Sequence, residues 1–318
     1  MLLLRQSGVF SNQEKTANFF KSNIFNNKVI STMISRYPIY YINLDRVPER
    51  AAFMDTQLSN LGLANSIQRV SAKDALTANI KSNYDKSFKT RRWELLPSEI
   101  ACFESHRHVW ERIVKNQQPY AVILEDDIIL SKSFSKTVDC ILDTISEFDV
   151  IKLDGCDHQE VLFGAAIHLG EFAVRPILRR IGSAAGYLLS LSGAKKLMVQ
   201  SYKYSDSVDD FIFEPRDEWN VLQLEPAIGV QGMFLDAKFT TKVSKAVSQS
   251  ERTENPTISG MRKKGPVSYR LKKECKRFAL RVFMKAFGKE FIDKQSGKIG
   301  PIKLSIDLGQ YKSYKVKT

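Results

Sequence analysis

Three adjacent carboxylates interrupt an apolar stretch, and they are the strongest constraint that the sequence places on the fold. Residues 120–124 are Tyr-Ala-Val-Ile-Leu, then come Glu125, Asp126 and Asp127, and residues 128–130 are Ile-Ile-Leu. The first apolar run has the length and composition of a buried strand. Because adjacent carboxylates repel one another and are costly to desolvate, we expect a cation at the end of this strand. An acidic turn that merely follows a buried strand is the alternative.

Strand geometry separates the three carboxylates. Successive side chains of a strand point to opposite faces, so Glu125 and Asp127 should point one way and Asp126 the other. The expected ion is Mg²⁺ or Mn²⁺, held by one or two carboxylates, with its other positions left for water and phosphate oxygens.

Strands alternate with helices along the chain. Strands are predicted over residues 37–44, 67–71, 120–124, 148–153, 187–190 and 220–227, and helices over 48–62, from 97, over about 134–145, and over 192–199. This alternation predicts an α/β layered sheet, whose ligands lie beyond the carboxyl ends of its strands.

Composition argues for a folded protein without membrane-spanning helices. The chain has 318 residues, 43% of them hydrophobic, and its longest apolar runs fall far short of the roughly 20 residues that span a bilayer. The first residues do not resemble a secretory signal, so we expect a cytoplasmic protein. Cys102, Cys140, Cys156 and Cys275 lack CxxC spacing and are expected to be reduced packing residues.

Positive charge is concentrated near the C-terminus. Residues 261–289 contain eleven Lys or Arg and one acid, Glu274, a net +10 out of the chain's +13. An apolar stripe at helical spacing runs through the same segment: Leu271, Cys275, Phe278, Val282 and Ala286. The pattern predicts a basic amphipathic helix whose partner is an anionic surface, either membrane phospholipid or nucleic acid. A helix packed on the rest of the protein, with solvated lysines, is the alternative.

Three regions are predicted. Residues 1–34 form a poorly ordered extension, residues 35–245 the α/β domain, and residues 246–318 a basic C-terminal extension that is partly an amphipathic helix. Met33, directly before the first strand, is an alternative translation start.

Several segments together resemble glycosyltransferase family 25, the lipooligosaccharide galactosyltransferase family of Gram-negative bacteria. They are residues 41–46 (YINLDR) with Arg50, 98–102 (SEIAC) with Ser105, His106 and Trp110, 123–127 (ILEDD), 152–154 (KLD), 182–187 (GSAAGY), 208–210 (VDD) and 226–231. The likeness covers about residues 37–231. Two positions depart from the family pattern: Ser98 replaces the usual glycine before Glu99, and Glu104 replaces a common apolar residue. Neither change puts the expected metal site in doubt, and any effect is expected on the acceptor side.

The resemblance implies a GT-A-like fold and an inverting transfer of a hexose, most often galactose from UDP-galactose. The acceptor it implies is the lipid-linked oligosaccharide of lipooligosaccharide or lipopolysaccharide. A lipid-linked acceptor favours an anionic membrane surface as the partner of residues 261–289, on the inner face of the bacterial inner membrane. No nucleic-acid motif appears, and no nucleic-acid partner is expected.

The resemblance also suggests roles for individual residues. Asp127 is the first candidate metal ligand, with Asp126 and Glu125 as further candidates for metal or donor. Asp209 or Asp210 is the candidate general base, with Asp209 favoured, and a helix cap is the alternative role.

Other residues are candidates for substrate binding. Those predicted at the donor are Asn43, Asp45, Arg46, Arg50 and Asp154. His106, Gly186 and Gln231 are predicted to contact the acceptor or to serve packing.

Two further functions remain open from the sequence. One is a non-catalytic basic protein that docks on nucleic acid or membrane. The other is metal-dependent phosphoryl transfer, although the sequence contains no glycine-rich phosphate loop.

Overall fold

A computed structural model describes residues 36–76, 80–88, 94–156, 161–235, 266–294 and 297–312. The chain divides after Ile34, and the architecture below is that of the unit Ser35–Thr318. The predicted extension 1–34 and the alternative start at Met33 lie outside the described residues.

Thirteen strands are found in the described part of the chain. They are β1 (Ile39–Asn43), β2 (Ile67–Ser71), β3 (Tyr120–Glu125), β4 (Ile128–Leu130), β5 (Val150–Lys152), β6 (Asp154–Gly155), β7 (Val161–Phe163), β8 (Ile167–Leu169), β9 (Phe172–Pro176), β10 (Gly186–Ser190), β11 (Val221–Glu225), β12 (Gly229–Gln231) and β13 (Lys298–Gly300). Eight of them form one sheet in the order β2-β1-β3-β10-β5-β11-β9-β8. The sheet is mixed, because β1, β2 and β3 are parallel while β10 runs antiparallel to both β3 and β5.

Six α-helices accompany these strands in the described residues. They are α1 (Pro48–Asn60), α2 (Pro97–Lys115), α3 (Phe134–Thr144), α4 (Leu191–Gln200), α5 (Val208–Phe213) and α6 (Val267–Lys294).

Local sequence explains several boundaries. Pro48 and Pro97 suit the first turn of a helix, where no backbone donor is needed. Gly62 follows α1 at a φ of 76°, a left-handed conformation that glycine adopts without strain. The side chain of Ser190 caps α4 by accepting from the Gly193 N–H at 3.0 Å.

Both faces of the large sheet are buried. Ile123 and Tyr187 contribute to a core that includes Phe103 and Trp110 of α2. Their neighbours Val122 and Leu188 contribute to a second core with residues of α1 and α3. The mixed α/β architecture predicted from the sequence is therefore confirmed.

A small sheet lies next to the acidic segment. In it, β12 pairs antiparallel with β4 and parallel with β6. The chain leaves β3 at Glu125, turns through Asp126 and Asp127, and enters β4. Pairing between β12 and β6 brings Asp154 and Gln231 to the same region.

The end of the described chain contacts the α/β body, while the predicted boundary between 245 and 246 stays a prediction. β13 pairs with β7, and Lys298 forms an ion pair with Glu225. Ile302 is buried in the first core. Asp307 accepts from Ser131 Oγ at 2.8 Å. Residues 297–312 are therefore part of the α/β body, because their apolar and acidic side chains find partners there that are distant in sequence.

α6 exposes its apolar stripe. The side chains of Leu271, Phe278 and Val282 are 65%, 69% and 51% exposed. Among the helices of the described residues, α6 included, none combines the length and apolarity that crossing a bilayer requires.

Candidate active site

Glu125 and Asp127 converge on one point. The side-chain amide of Gln231 donates to Glu125 Oε2 at 3.0 Å and lies 3.2 Å from both carboxylate oxygens of Asp127. Since one amide nitrogen reaches all three oxygens, the two carboxylates face the same side of the chain, although Asp127 lies in the turn after β3 rather than in the strand. Gln231, predicted only as an acceptor or structural residue, bridges them.

Asp126 points the other way and has its own partners. Its carboxylate accepts from Asn43 Nδ2 at 2.7 Å and from Arg50 Nη1 at 2.9 Å, and all three residues are buried. Burial raises the pKa of Asp126, and the Arg50 charge opposes that rise. Asn43, Arg50 and Asp126 therefore tie α1 to the end of β3. In these contacts the Asp126 carboxylate faces Asn43 and Arg50, whereas Glu125 and Asp127 face Gln231.

Asp127 is buried among negative charges. Burial, followed by the charges of Glu125 and Asp126, raises the pKa of Asp127 to about 7. A divalent cation beside Glu125 and Asp127 would favour the ionised form of both. Two carboxylates are also the hard oxygen donors that Mg²⁺ and Mn²⁺ prefer, so these residues fit such an ion.

Asp45 and Arg46 lie exposed beyond the carboxyl end of β1. Asp45 accepts from Arg69 Nη2 at 2.6 Å and from Ser71 Oγ at 2.5 Å, and these two contacts lower the pKa of Asp45. Arg46 pairs with Asp74 at 2.6 Å. Sequence reasoning missed Arg69 and Asp74, although the parallel neighbour of β1 was predicted to end at Ser71.

Asp154 is fully buried in an ion pair. It lies against Lys152 Nζ, accepts from Ser183 Oγ at 2.6 Å, and has no exposed side-chain surface. Burial raises the pKa of Asp154, and the Lys152 charge opposes that rise. A group this enclosed supports its neighbours rather than reaching a ligand. Lys152 was missed as a site residue, and its signal was a charged side chain within a predicted buried strand.

Ser183 connects several of these groups. Its φ of 68° is uncommon for a residue with a side chain. Its backbone N–H donates to Asp209 Oδ2 at 3.3 Å, and its hydroxyl lies 3.4 Å from Gln231 Oε1. Ser183 therefore links Asp154, Asp209 and the amide that bridges Glu125 and Asp127.

Asp209 and Asp210 begin α5 in different surroundings. Asp210 is buried, accepts from Ser207 Oγ at 3.0 Å, and forms an ion pair with Arg180 at 2.9 Å. Asp209 is half-buried and faces Ser183. Of the two candidates for a base, Asp210 thus makes the contacts of a capping and ion-pairing residue.

His106 is fully buried behind Glu125. Its Nδ1 lies 2.9 Å from the Tyr187 hydroxyl, which also accepts from Trp110 Nε1 at 2.8 Å. Its Nε2 lies 3.4 Å from Glu125 Oε1. His106 therefore orients Glu125 from the core side.

Two other positions serve packing. A Cβ added at Gly186 would lie 2.6 Å from Ile128 Cδ1, so a larger residue there would clash behind the carboxylates. Glu104, which departs from the family pattern, accepts from the Tyr204 hydroxyl at 2.9 Å and from the Asn83 N–H at 3.0 Å.

Comparison with known proteins identifies the family. Residues 36–212 match the family described as "Glycosyltransferase family 25 (LPS biosynthesis protein)". The chain belongs to glycosyltransferase family 25. The match contains Glu125, Asp127, Ser183 and Asp209, and it ends before Gln231.

Individual relatives share between 24% and 29% of their aligned residues. A "Glycosyltransferase 25 family member" of Aedes aegypti is 29% identical over 50% of this chain and 27% of its own length. A "Putative glycosyltransferase" of Haemophilus influenzae is 25% identical over 67% of this chain and 76% of its own length. "Procollagen galactosyltransferase 2" of Homo sapiens is 24% identical over 52% of this chain and 29% of its own length. The match to this chain thus spans less than a third of the two animal relatives.

Proposed function

We propose that this family 25 protein is a metal-dependent, inverting hexosyltransferase that moves galactose from UDP-galactose to the oligosaccharide of lipooligosaccharide or lipopolysaccharide. The observation that carries the proposal is the convergence of Glu125 and Asp127 on one point, 3.0 to 3.2 Å from a shared donor. This arrangement gives hard oxygen ligands next to the end of a central strand, where ligands of such sheets lie.

The chemistry requires stabilisation of a leaving diphosphate. A divalent cation held by Glu125 and Asp127 would supply positive charge where negative charge develops on that group. Gln231 and His106 hold Glu125 from two sides, and Gln231 also holds Asp127. These contacts fix the carboxylates before a ligand arrives, which reduces the reorganisation that binding costs.

Asp209 is the group that we propose as general base. Inversion in one displacement needs a base that takes the proton of the acceptor hydroxyl on the side opposite the leaving group. Asp209 is half-buried and is oriented by the Ser183 N–H, whereas Asp210 is buried in its ion pair with Arg180.

The donor's nucleoside is proposed to bind beyond β1. Asp45 and Arg46 are exposed there, and the buried Asn43 connects that end of β1 to Asp126. Backbone and side-chain groups at the carboxyl end of a parallel strand are the usual location for a nucleotide.

Galactose and the acceptor are proposed from the names of relatives. The human relative is named a procollagen galactosyltransferase, and the family description names LPS biosynthesis. The Haemophilus influenzae relative, matched over 76% of its length, supports a bacterial context for the acceptor.

The membrane surface is proposed to contact α6. Leu271, Phe278 and Val282 are more than half exposed on a helix within a segment of net charge +10. Insertion of apolar side chains among anionic headgroups would explain both features. We therefore propose that the protein works on the inner face of the bacterial inner membrane.

A donor screen tests the proposed reaction. UDP release is measured for UDP-galactose, UDP-glucose and UDP-N-acetylglucosamine with Mn²⁺, with lipooligosaccharide from a truncated strain as acceptor. The expected result is acceptor-dependent release that is greatest with UDP-galactose, lost in Asp127→Asn, and retained in Glu111→Gln, a change at an exposed residue of α2. Absence of release with every donor, together with vesicle binding, would instead support a non-catalytic membrane-binding protein.

A further inference from the structure

A second set of metal-ligating atoms meets on the core side of Glu125. Cys102 and His106 lie four residues apart on α2 and therefore share one face of that helix. Cys102 Sγ is 3.7 Å from Glu125 Oε1, and His106 Nε2 is 3.4 Å from the same oxygen. All three ligand atoms lie within 4.8 Å of one another.

Two of the three distances match the edges of a tetrahedral zinc site. With Zn–S near 2.3 Å and Zn–N and Zn–O near 2.0 Å, a tetrahedron has S···O and N···O edges of about 3.5 Å and about 3.3 Å. The observed 3.7 Å and 3.4 Å differ from these edges by only a few tenths of an ångström. Binding would also require side-chain shifts that bring the Sγ···Nε2 separation, which is at most 4.8 Å, to an edge of about 3.5 Å.

The donor types select a different ion from the one proposed for Glu125 and Asp127. A thiolate and an imidazole favour Zn²⁺, whereas Mg²⁺ and Mn²⁺ prefer oxygen ligands. Asp127 is not part of this second set of ligands, since its carboxylate faces Gln231.

The surroundings hold the histidine in place. The ring's other nitrogen, Nδ1, contacts the buried Tyr187 hydroxyl, which Trp110 holds in turn. A partner at the second ring nitrogen is what fixes the orientation of a metal-ligating histidine. Access exists from the other side, because the Glu125 side chain is 23% exposed and Cys102 is half-buried.

We propose that Cys102, His106 and Glu125 form a zinc site with three protein ligands and one open position. Binding would convert the Cys102 thiol to a thiolate and release its proton to solvent. Because Glu125 would be shared with the cation held by Asp127, zinc would also weaken Mn²⁺ binding. That last consequence rests on the proposed function, whereas zinc binding itself does not.

Cobalt spectroscopy tests the site without any activity measurement. The metal-free full-length protein is titrated with Co²⁺, followed by displacement with Zn²⁺ against a chromophoric chelator. Wild type should show a thiolate-to-cobalt charge-transfer band that saturates when one equivalent is bound at this site. Cys102→Ser should lose the band and bind Zn²⁺ at least about tenfold more weakly. Cys140→Ser, a change at a half-buried cysteine of α3, should behave as wild type.

Two results would overturn the site. One is a charge-transfer band that survives in Cys102→Ser, and the other is wild-type protein that binds neither Co²⁺ nor Zn²⁺ at micromolar concentration. His106→Gln provides a second test, because loss of the nitrogen ligand should weaken Zn²⁺ binding while a cysteine remains.

The link to Mn²⁺ is tested by the ratio of transfer rates with and without added Zn²⁺. The rate with Zn²⁺ divided by the rate without it should be well below one in wild type and Cys140→Ser. It should be much closer to one in Cys102→Ser. Equal inhibition of all three proteins would overturn the sharing of Glu125. If the cobalt titration succeeds but no donor is used, the proposed function fails and the zinc site stands.

Discussion

The backbone N–H of Ser183 lies 3.3 Å from Asp209 Oδ2, while the hydroxyl of the same residue donates to Asp154 at 2.6 Å. One residue in a left-handed conformation thus joins a buried ion pair to the proposed base. Backbone strain of this kind persists where surrounding contacts hold it, and it is concentrated at functional sites.

Ser183 variants should separate strain from hydrogen bonding. Ser183→Ala keeps the unfavourable φ of 68° and leaves buried Asp154 short of one donor, so it should lower the free energy of unfolding by about 1–3 kcal/mol. Ser183→Gly also loses the hydroxyl but relieves strain of about 1–2 kcal/mol, so it should be the more stable of the two in urea unfolding. A glycine variant less stable than the alanine variant would contradict the role of the backbone conformation.

The two adjacent acids of α5 should respond differently to substitution. Asp209→Asn should lower kcat by about 10²- to 10⁴-fold with little change in donor KM, because it removes the proposed base. Asp210→Asn should chiefly lower stability, because it weakens the contacts with Arg180 and Ser207. Steady-state kinetics and urea unfolding of both variants check this assignment. A large kcat loss in Asp210→Asn alone would move the base by one residue.

Asp127 should make the stability of the metal-free protein depend on pH. Its pKa is about 7 in the folded protein against an ordinary 3.8, so between these values the folded state binds more protons than the unfolded state. Stability from this group is therefore full below pH 3.8, falls as pH rises, and is lost above pH 7.

Asp127→Asn removes that dependence. The free energy of unfolding of the variant, relative to that of wild type, should increase between pH 4 and about pH 7 by on the order of 1 kcal/mol or more. Above that pH the difference should stay constant. Urea unfolding across this range, with chelator present, measures the effect. A difference between the two proteins that does not vary with pH would contradict the raised pKa.

The exposed stripe of α6 should govern membrane binding. A Leu271→Gln/Phe278→Gln/Val282→Gln variant should sediment less with anionic vesicles, and moderate salt should release wild type, since each surface charge contributes about 1 kcal/mol of screened attraction. Val199→Gln/Tyr202→Gln is the matched control, because these side chains are 76% and 75% exposed elsewhere. Equal sedimentation of all three proteins would place the membrane surface on another part of the chain.

Local patterns predicted the elements that carry the site. The strand at Ile67–Ser71 has the predicted bounds, whereas Asp126 and Asp127 lie in a turn after β3, where strand alternation does not apply. Strands β7 to β9 were missed, because segments of three to five residues are too short to carry a clear periodic signal.

Local sequence patterns do not predict long-range pairings. Nothing local indicates that Arg50 pairs with Asp126, that Ser183 donates to Asp154, or that β13 returns to pair with β7. The concentration of positive charge was the main sequence signal near the C-terminus, so the apolar contacts of residues 297–312 were not predicted. Each of these contacts joins residues that only tertiary packing brings together.

Isothermal titration of UDP in the presence and absence of Mn²⁺ tests the central claim most directly. Wild type and Glu111→Gln should bind UDP with Mn²⁺ and lose most of that affinity in chelator, while Glu125→Gln and Asp127→Asn should bind weakly under both conditions. Thermal unfolding of each variant provides the control for folding. UDP affinity that is unchanged by Mn²⁺, or that survives in folded Asp127→Asn, would contradict the claim that Glu125 and Asp127 hold the cation of a nucleotide-sugar site.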